Sequence, residues 1–196
     1  MPTLPHILSQ IWHLLSQGAE PSRHPFHTPV LASLDGSQPV MRTVILRDVQ
    51  PEKRLLIAHS DIRSSKIKQI RQTPQVSWLF YNAESQIQLR LRGLAQIHHD
   101  DTLADEQWAA TPLSSRRNYL TVREPDTVLA EYQSNLPEFL QNREPTLAES
   151  EAGRAYFAII AAEIAEIEWL KLAYTGHQRA RFSWKNGDWF GEWLAA

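Results

Sequence analysis

Apolar residues at Leu4, Ile7, Leu8, Ile11, Leu14 and Leu15 recur at helical spacing and stop at Gly18, which predicts an amphipathic first helix over residues 4–17. Thr28 to Leu34 and Val40 to Val49 then read as strands flanking the turn dipeptide Asp35-Gly36, with Arg54 to Ser60 as the next strand after Pro51. Helical spacing returns from Ser64 through Ile67 and Ile70 and ends at Pro74. Val76 to Tyr81 and Gln86 to His98 follow as strands. In the second, Ile87, Leu89, Leu91 and Gly93 share one face while Gln88, Arg90, Arg92 and Leu94 share the other. An antiparallel sheet with one polar face fits that alternation.

The pattern turns helical from Asp101 to Leu140, broken at Thr111-Pro112 and Glu124-Pro125, and the polar stretch Gln141 to Gly153 reads as a surface loop. Tyr156 to Ala173 is rich in alanine, which favours helix. Ile164, Glu166 and Glu168 nevertheless alternate with Ala165, Ile167 and Trp169 as a strand does, and strand is the expectation. Asn186-Gly187 joins Arg179–Trp184 to Asp188–Leu194 as a closing hairpin. The result is one domain over 1–196, mainly β with flanking helices: a helix at 4–17, a sheet at about 28–99, a helical insert at about 101–140 and C-terminal strands at about 155–194.

A chain of 196 residues, 42% hydrophobic, can bury its own core. Twenty Lys and Arg against 22 Asp and Glu leave a net charge of -2, so no global field favours nucleic acid or an acidic membrane. Zero cysteines removes disulfides, thiolate nucleophiles and iron–sulfur ligands together, so any redox chemistry must come from a bound cofactor. No apolar run has the length of a membrane span, and the opening residues lack a basic signal region; a soluble cytoplasmic protein is expected.

Chemistry concentrates between Met41 and Lys66. Ser64 and Ser65 suit a helix start, but Arg63 and Lys66 there, without a carboxylate in the turn, are unfavourable unless an anion is bound. Free N–H groups, hydroxyls and an ammonium make a phosphate site, to which Arg42 and Arg47 in the preceding strand add guanidinium forks. Solvated charges on a sheet edge fit these residues equally well. Other chemistries are weaker. His98-His99-Asp100-Asp101 puts adjacent side chains on opposite faces of a strand, so a metal site is not expected, and His24 and His27 read as a loop pair. There is no G-x-S-x-G and no glycine-rich turn for a P-loop or dinucleotide fold. The stripe of Arg90, Arg92, Arg116, Arg117, Arg179 and Arg181 reads as a solvated face rather than a nucleic-acid surface.

Three segments together resemble the pyridoxamine 5′-phosphate oxidase family of flavin mononucleotide (FMN) proteins, in its oxidase-related branch: Arg42-Thr43-Val44-Ile45-Leu46-Arg47, His59-Ser60-Asp61 with Ser64-Ser65-Lys66, and Gln86 to Gly93. The resemblance runs from about Val30 to Gly93, weakens through the middle, and resumes near Glu166. It implies a six-stranded FMN-binding split β-barrel, working as a homodimer with FMN at the subunit interface and acting on a small-molecule substrate. By position, Arg42 and Lys66 would contact the flavin phosphate with Ser60, Ser64 and Ser65. Thr43, Val44 and Ile45 would lie along the ring, and His59 stands where the family often has an aromatic residue. Gln88 would reach the ring from the other subunit, and Trp169 and Arg181 would close the site, a core position being the alternative for Trp169.

The departures bear on substrate. The family's arginine after the helix-start serine is Ser65 here, and the Tyr and Arg that clamp a substrate phosphate match Gln107 and Thr111, with Ser115 a loose third. Losing two such partners removes on the order of several kcal/mol, at about 1.5–3 kcal/mol for each hydrogen bond to a charged group. Arg47 and Arg179 remain to face a substrate. The resemblance therefore implies an FMN-dependent oxidoreductase of unknown substrate, with authentic pyridoxamine 5′-phosphate oxidation or a non-catalytic flavin carrier or sensor as alternatives.

Overall fold

The computed structural model describes residues 2–20 and 23–196. The first helix, α1 (Leu4–Ala19), turns Ile7, Ile11 and Leu15 inward, with a proline in its first turn, where a missing N–H removes no helical bond. Strands β1 (Val30–Asp35), β2 (Gln38–Thr43), β3 (Leu46–Gln50) and β4 (Leu55–Asp61) precede helix α2 (Ser65–Gln72), and β5 (Gln75–Asn82) and β6 (Ile87–His98) follow it. Short helices α3 (Thr102–Ala110), α4 (Leu113–Arg116) and α5 (Leu147–Ser150) fill the middle, and β7 (Phe157–Lys171), β8 (Gln178–Lys185) and β9 (Asp188–Leu194) complete one sheet.

The nine strands pair in the order β2-β1-β5-β6-β7-β4-β3, with β8 on β7 and β9 on β8. The six strands implied by the family resemblance are thus nine in one continuous sheet. β7 organises it. One edge pairs with β6 from Ile87↔Lys171 to His98↔Ile159, while the other is divided, with β4 on residues 157–163 and β8 on 166–171. At that division the β6–β7 register shifts between Arg92 and Gly93. A Cβ on Gly93 would lie far inside van der Waals contact with the Glu163 carbonyl oxygen, so this bulge requires glycine for close approach.

The main core lies on the inner face: Leu31, Trp78, Phe80, Leu89, Leu91, Ile167 and Phe182 from the sheet meet α1 and the α2 residues Ile67 and Ile70. A smaller core of Ile57, Ala104, Trp108, Tyr119, Phe157 and Ile159 packs beside α3. Fully burying such side chains stabilises by about 1.5–3 kcal/mol each.

Three expectations change. The single strand over Val40–Val49 is two, because β2 pairs with β1 and β3 with β4, at opposite ends of the strand order. The chain crosses between them at Val44-Ile45, where the Val44 N–H donates to the Pro29 carbonyl at 3.0 Å. The helical insert is helical in α3, α4 and two 3-10 turns at Arg117–Tyr119 and Glu138–Leu140; residues 120–137 contain no helix or strand. Pro125 and Pro137 in that stretch lack the N–H that a helix interior uses. The stretch expected as surface loop is partly ordered, since Thr146 and Glu149 form a reciprocal capping box that starts α5.

Candidate functional site

The segment Arg42–Arg47 connects two polar places on the protein. At its first end, Arg42 lies in register with Leu31 and, through it, with Trp78, so its side chain leaves β2 on the inner face. Its guanidinium donates to Ser33 Oγ at 2.7 Å and to Gln69 Oε1 at 2.9 Å, and Ser33 Oγ donates to the same Gln69 oxygen at 2.8 Å. Ser33 and Gln69 are buried, which fixes the fork. Neither was singled out by its sequence; the available signal was one polar side chain, Gln69, between the core residues Ile67 and Ile70.

Lys66 approaches from α2. Its Nζ donates to Ser60 Oγ at 3.2 Å, and Ser60 Oγ lies 3.1 Å from Ser64 Oγ. Burial pushes the Lys66 ammonium below its ordinary pKa, and the neighbouring Arg42 charge pushes the same way. Two cations held together against their repulsion, at a helix start, form a site that favours an anion. Ser64 occupies the N-cap position without capping through its side chain, because its hydroxyl donates back to the Asp61 carbonyl at 2.8 Å. Arg63 is occupied elsewhere: it forks onto Asp61 at 2.7 and 3.0 Å and stacks 3.7 Å over the Tyr156 ring.

At the other end of the segment, Arg47 and His59 line a cavity of about 370 Å³ with Gln107, Thr111, Pro112 and Ser115. His59 Nε2 is 3.0 Å from Gln107 Oε1, and its ring meets Phe157 edge-on. Burial lowers the His59 pKa to about 4, so the ring is neutral near pH 7. His59 Nδ1 and Arg47 Nε are both buried without a hydrogen-bond partner. Such atoms carry an unmet desolvation cost that a bound polar group would relieve. Thr43 is exposed, Val44 buried and Ile45 half-buried between the two places.

The remaining candidates lie on the opposite sheet face. Val30, Leu79, Arg90, Glu168, Arg181 and Glu192 are consecutive register partners across β1, β5, β6, β7, β8 and β9. Tyr81, Gln88, Leu170 and Arg179 form the next row on that face. Gln88 and Arg179 line a second cavity, of about 340 Å³, with Arg90, Glu168 and His177. Burial pushes the Glu168 carboxyl up, but hydrogen bonds from Arg179 and Arg90 with their charges outweigh it and hold the group below the usual carboxylate range. Arg181 forks onto Glu192 at 2.8 and 3.0 Å. Trp169 points the other way, into the core, in register with Leu89 and Ala180. Asp101 caps α3, accepting from the Ala104 N–H at 3.0 Å, and no group of three His, Asp or Glu able to hold a metal is found among the described residues.

Residues 9–99, which include the whole Arg42–Lys66 arrangement, match the family model for the pyridoxamine 5′-phosphate oxidase FMN-binding domain. That stretch resembles the family's FMN-binding domain. Among solved structures, a pyridoxamine 5′-phosphate oxidase-related FMN-binding protein from Nostoc punctiforme PCC 73102 superposes with a TM-score of 0.71 at 18% identity, over 100% of each chain. PhzG from Burkholderia lata 383, in complex with tetrahydrophenazine-1-carboxylic acid, gives 0.71 at 19% identity over 100% of this chain and 94% of its own. No curated protein matches. The fold is accordingly the split barrel of the pyridoxamine 5′-phosphate oxidase-like proteins, mainly β with flanking helices. No helix among the described residues is long and apolar enough to cross a membrane.

Proposed function

We propose that this chain binds FMN and acts as an FMN-dependent oxidoreductase on a small molecule. The observation that carries the reading is the cluster at the start of α2, where Lys66 bonds Ser60 beside Ser64 and the Arg42 guanidinium, held by Ser33 and Gln69, lies near enough for its charge to add to the burial that pushes the Lys66 pKa down. The donor set fits a phosphate monoester: a guanidinium fork, an ammonium, hydroxyls and first-turn N–H groups. The match of residues 9–99 to the FMN-binding domain supports the same ligand. FMN, when bound, supplies two-electron transfer. The protein's part is to hold the phosphate with Arg42, Lys66, Ser60, Ser64 and Ser65, and to seat the ring along Thr43, Val44 and Ile45 beside His59.

Gln88 and Arg181 stand on the sheet face opposite to Arg42, so one copy cannot present both groups to one flavin. A homodimer that brings this face of one copy against the phosphate side of the other resolves that division. The exposed apolar residues Met41, Leu79 and Tyr81 beside the charged rows support such pairing. Gln88 and Arg181 would then reach the partner's flavin, with Trp169 backing them from the core.

The cavity at Arg47 and His59 is the proposed substrate site, with Arg179 contributed across the interface. Its lining has Arg47 as the single cation, and Gln107, Thr111 and Ser115 stand where a phosphate clamp would be. With Arg179 already bonded to Glu168 in its own copy, Arg47 and neutral donors suit a singly charged group such as a carboxylate better than a phosphate dianion. The complex of PhzG with a carboxylic acid accords with that class. Pyridoxine 5′-phosphate turnover is accordingly expected to be slow or absent, and efficient release of pyridoxal 5′-phosphate would instead identify the chain as an authentic oxidase of that vitamer.

The first test is the visible spectrum of purified protein. The native protein is expected to be yellow and to retain FMN on desalting, while Arg42→Ala combined with Lys66→Ala loses it. A native protein that stays colourless with added FMN would reject the cofactor.

A further inference from the structure

A carboxylate of the protein already lies on the proposed phosphate site. Asp126 Oδ2 accepts the Ser65 N–H at 3.2 Å, and its charge acts on both Lys66 and Arg42. The Ser65 hydroxyl first, then the Ser65 N–H, hold the Asp126 carboxyl below its ordinary pKa, with Lys66 and Lys68 adding to the effect. Helix α2 has no acidic residue in its own first turn, so the negative charge that its N-terminus favours arrives from 61 residues along the chain.

The loop that delivers it is closed at its base and lightly held beyond it. Its base is closed by Val122 N–H to the Asn135 carbonyl at 2.9 Å, by Arg123 N–H to Asn135 Oδ1 at 2.9 Å and by Asn135 Nδ2 to the Arg123 carbonyl at 3.0 Å. A further bond, Arg63 to Thr121 Oγ1 at 2.8 Å, anchors the near side of that base. Between residues 124 and 134, the hydrogen bonding of the described residues ties the loop to the body of the protein only at Asp126–Ser65. Val128 and Tyr132 in the same loop are almost fully exposed, so little apolar burial holds it down.

We propose that Asp126 is an internal competitor for the flavin phosphate, and that the 122–135 loop is the lid that carries it on and off the site. The inference rests on the FMN reading. The single Ser65 N–H cannot serve two anions fully, and a phosphate of about −1.5 to −2 charge placed beside the Asp126 carboxylate is repelled. FMN entry therefore requires Asp126 to leave. The fraction of molecules with the lid closed lowers the apparent affinity for phosphorylated flavin and leaves affinity for unphosphorylated flavin unchanged.

The experiment compares wild type with Asp126→Asn, which keeps the side-chain shape, tolerates the left-handed backbone (φ 67) and removes the charge. FMN and riboflavin are titrated into each apoprotein by flavin fluorescence, and loop opening is followed by chymotrypsin cleavage after Leu129 and Tyr132. The variant is expected to bind FMN roughly fivefold tighter or more, with riboflavin affinity unchanged. FMN is expected to speed loop cleavage in wild type, and the variant to be cut quickly without ligand. Equal or weaker FMN binding by the variant, or a parallel gain for riboflavin, would overturn the competitor and leave Asp126 as a fixed helix cap. If neither protein binds FMN, the flavin reading itself falls, and inorganic phosphate decides the lid: phosphate-accelerated cleavage of wild type upholds it, and unchanged cleavage overturns it.

Discussion

His59 is where burial and function meet at the scale of a single residue. Its pKa falls from 6.5 to about 4 on folding, chiefly through burial, so the folded state resists the charge that the unfolded chain accepts. The unfolded chain then binds the extra proton first. Stability from the neutral ring is therefore complete above pH 6.5, declines as pH drops towards 4, and is flat below; the full loss is about 3 kcal/mol. In His59→Phe this dependence is absent. Urea unfolding of both proteins at pH 7.5 and pH 4.5 is expected to show wild type losing at least about 2 kcal/mol more than the variant over that interval. Equal losses would show that His59 is not neutralised by burial. Arg42, Lys66 and Ser60 were legible as candidates because their side chains state their chemistry. Ser33, Gln69 and Asp126 were not. What they do depends on contacts 9 to 61 residues away in sequence, and a buried glutamine or an exposed aspartate looks ordinary in its own neighbourhood.

Among the elements, alternation made β5 and β6 readable, since each turns one apolar face to the core, and the Asn186-Gly187 turn made the closing hairpin so. Residues 40–49 were misread because the run has no glycine or proline and its centre, Thr43 to Leu46, favours strand, while its division at Val44-Ile45 is imposed by two different partner strands. The bulge at Gly93 gives a contrast between glycines. Gly93→Ala has no room for a Cβ beside the Glu163 carbonyl and is expected to cost about 3 kcal/mol or more, or to prevent folding. Gly187→Ala meets open space, and only its left-handed backbone (φ 84) opposes the change, so a loss near 1 kcal/mol is expected. Denaturant midpoints of the two variants check the order; a Gly93→Ala protein as stable as Gly187→Ala would mean that β6 and β7 separate at little cost.

For the whole molecule, one sheet presents two faces of different character, and the proposed pairing of copies uses both. Leu79→Glu places a carboxylate on the outer face between Val30 and Arg90 without touching the core. If that face is the contact, light scattering is expected to show the variant as a monomer, and FMN retention is expected to fall with it. A monomeric wild type, or a Leu79→Glu dimer that retains FMN, would remove the pairing from the account. The division of candidate residues between two faces could not be read from the linear sequence, because it depends on the register of strands up to about 80 residues apart.

The central position of β7 sets the timing of assembly on the ribosome. β4 and β6 both wait for residues 157–171 to emerge before their shared partner exists, although each is synthesised 60 or more residues earlier. During that interval a nascent chain carries two unpaired strand edges and two large loops to close, the conditions under which folding is slow and strand edges recruit other chains. Translation that stalls before Phe157 is therefore expected to leave a fragment dependent on chaperones, and emergence of residues 157–171 starts productive folding.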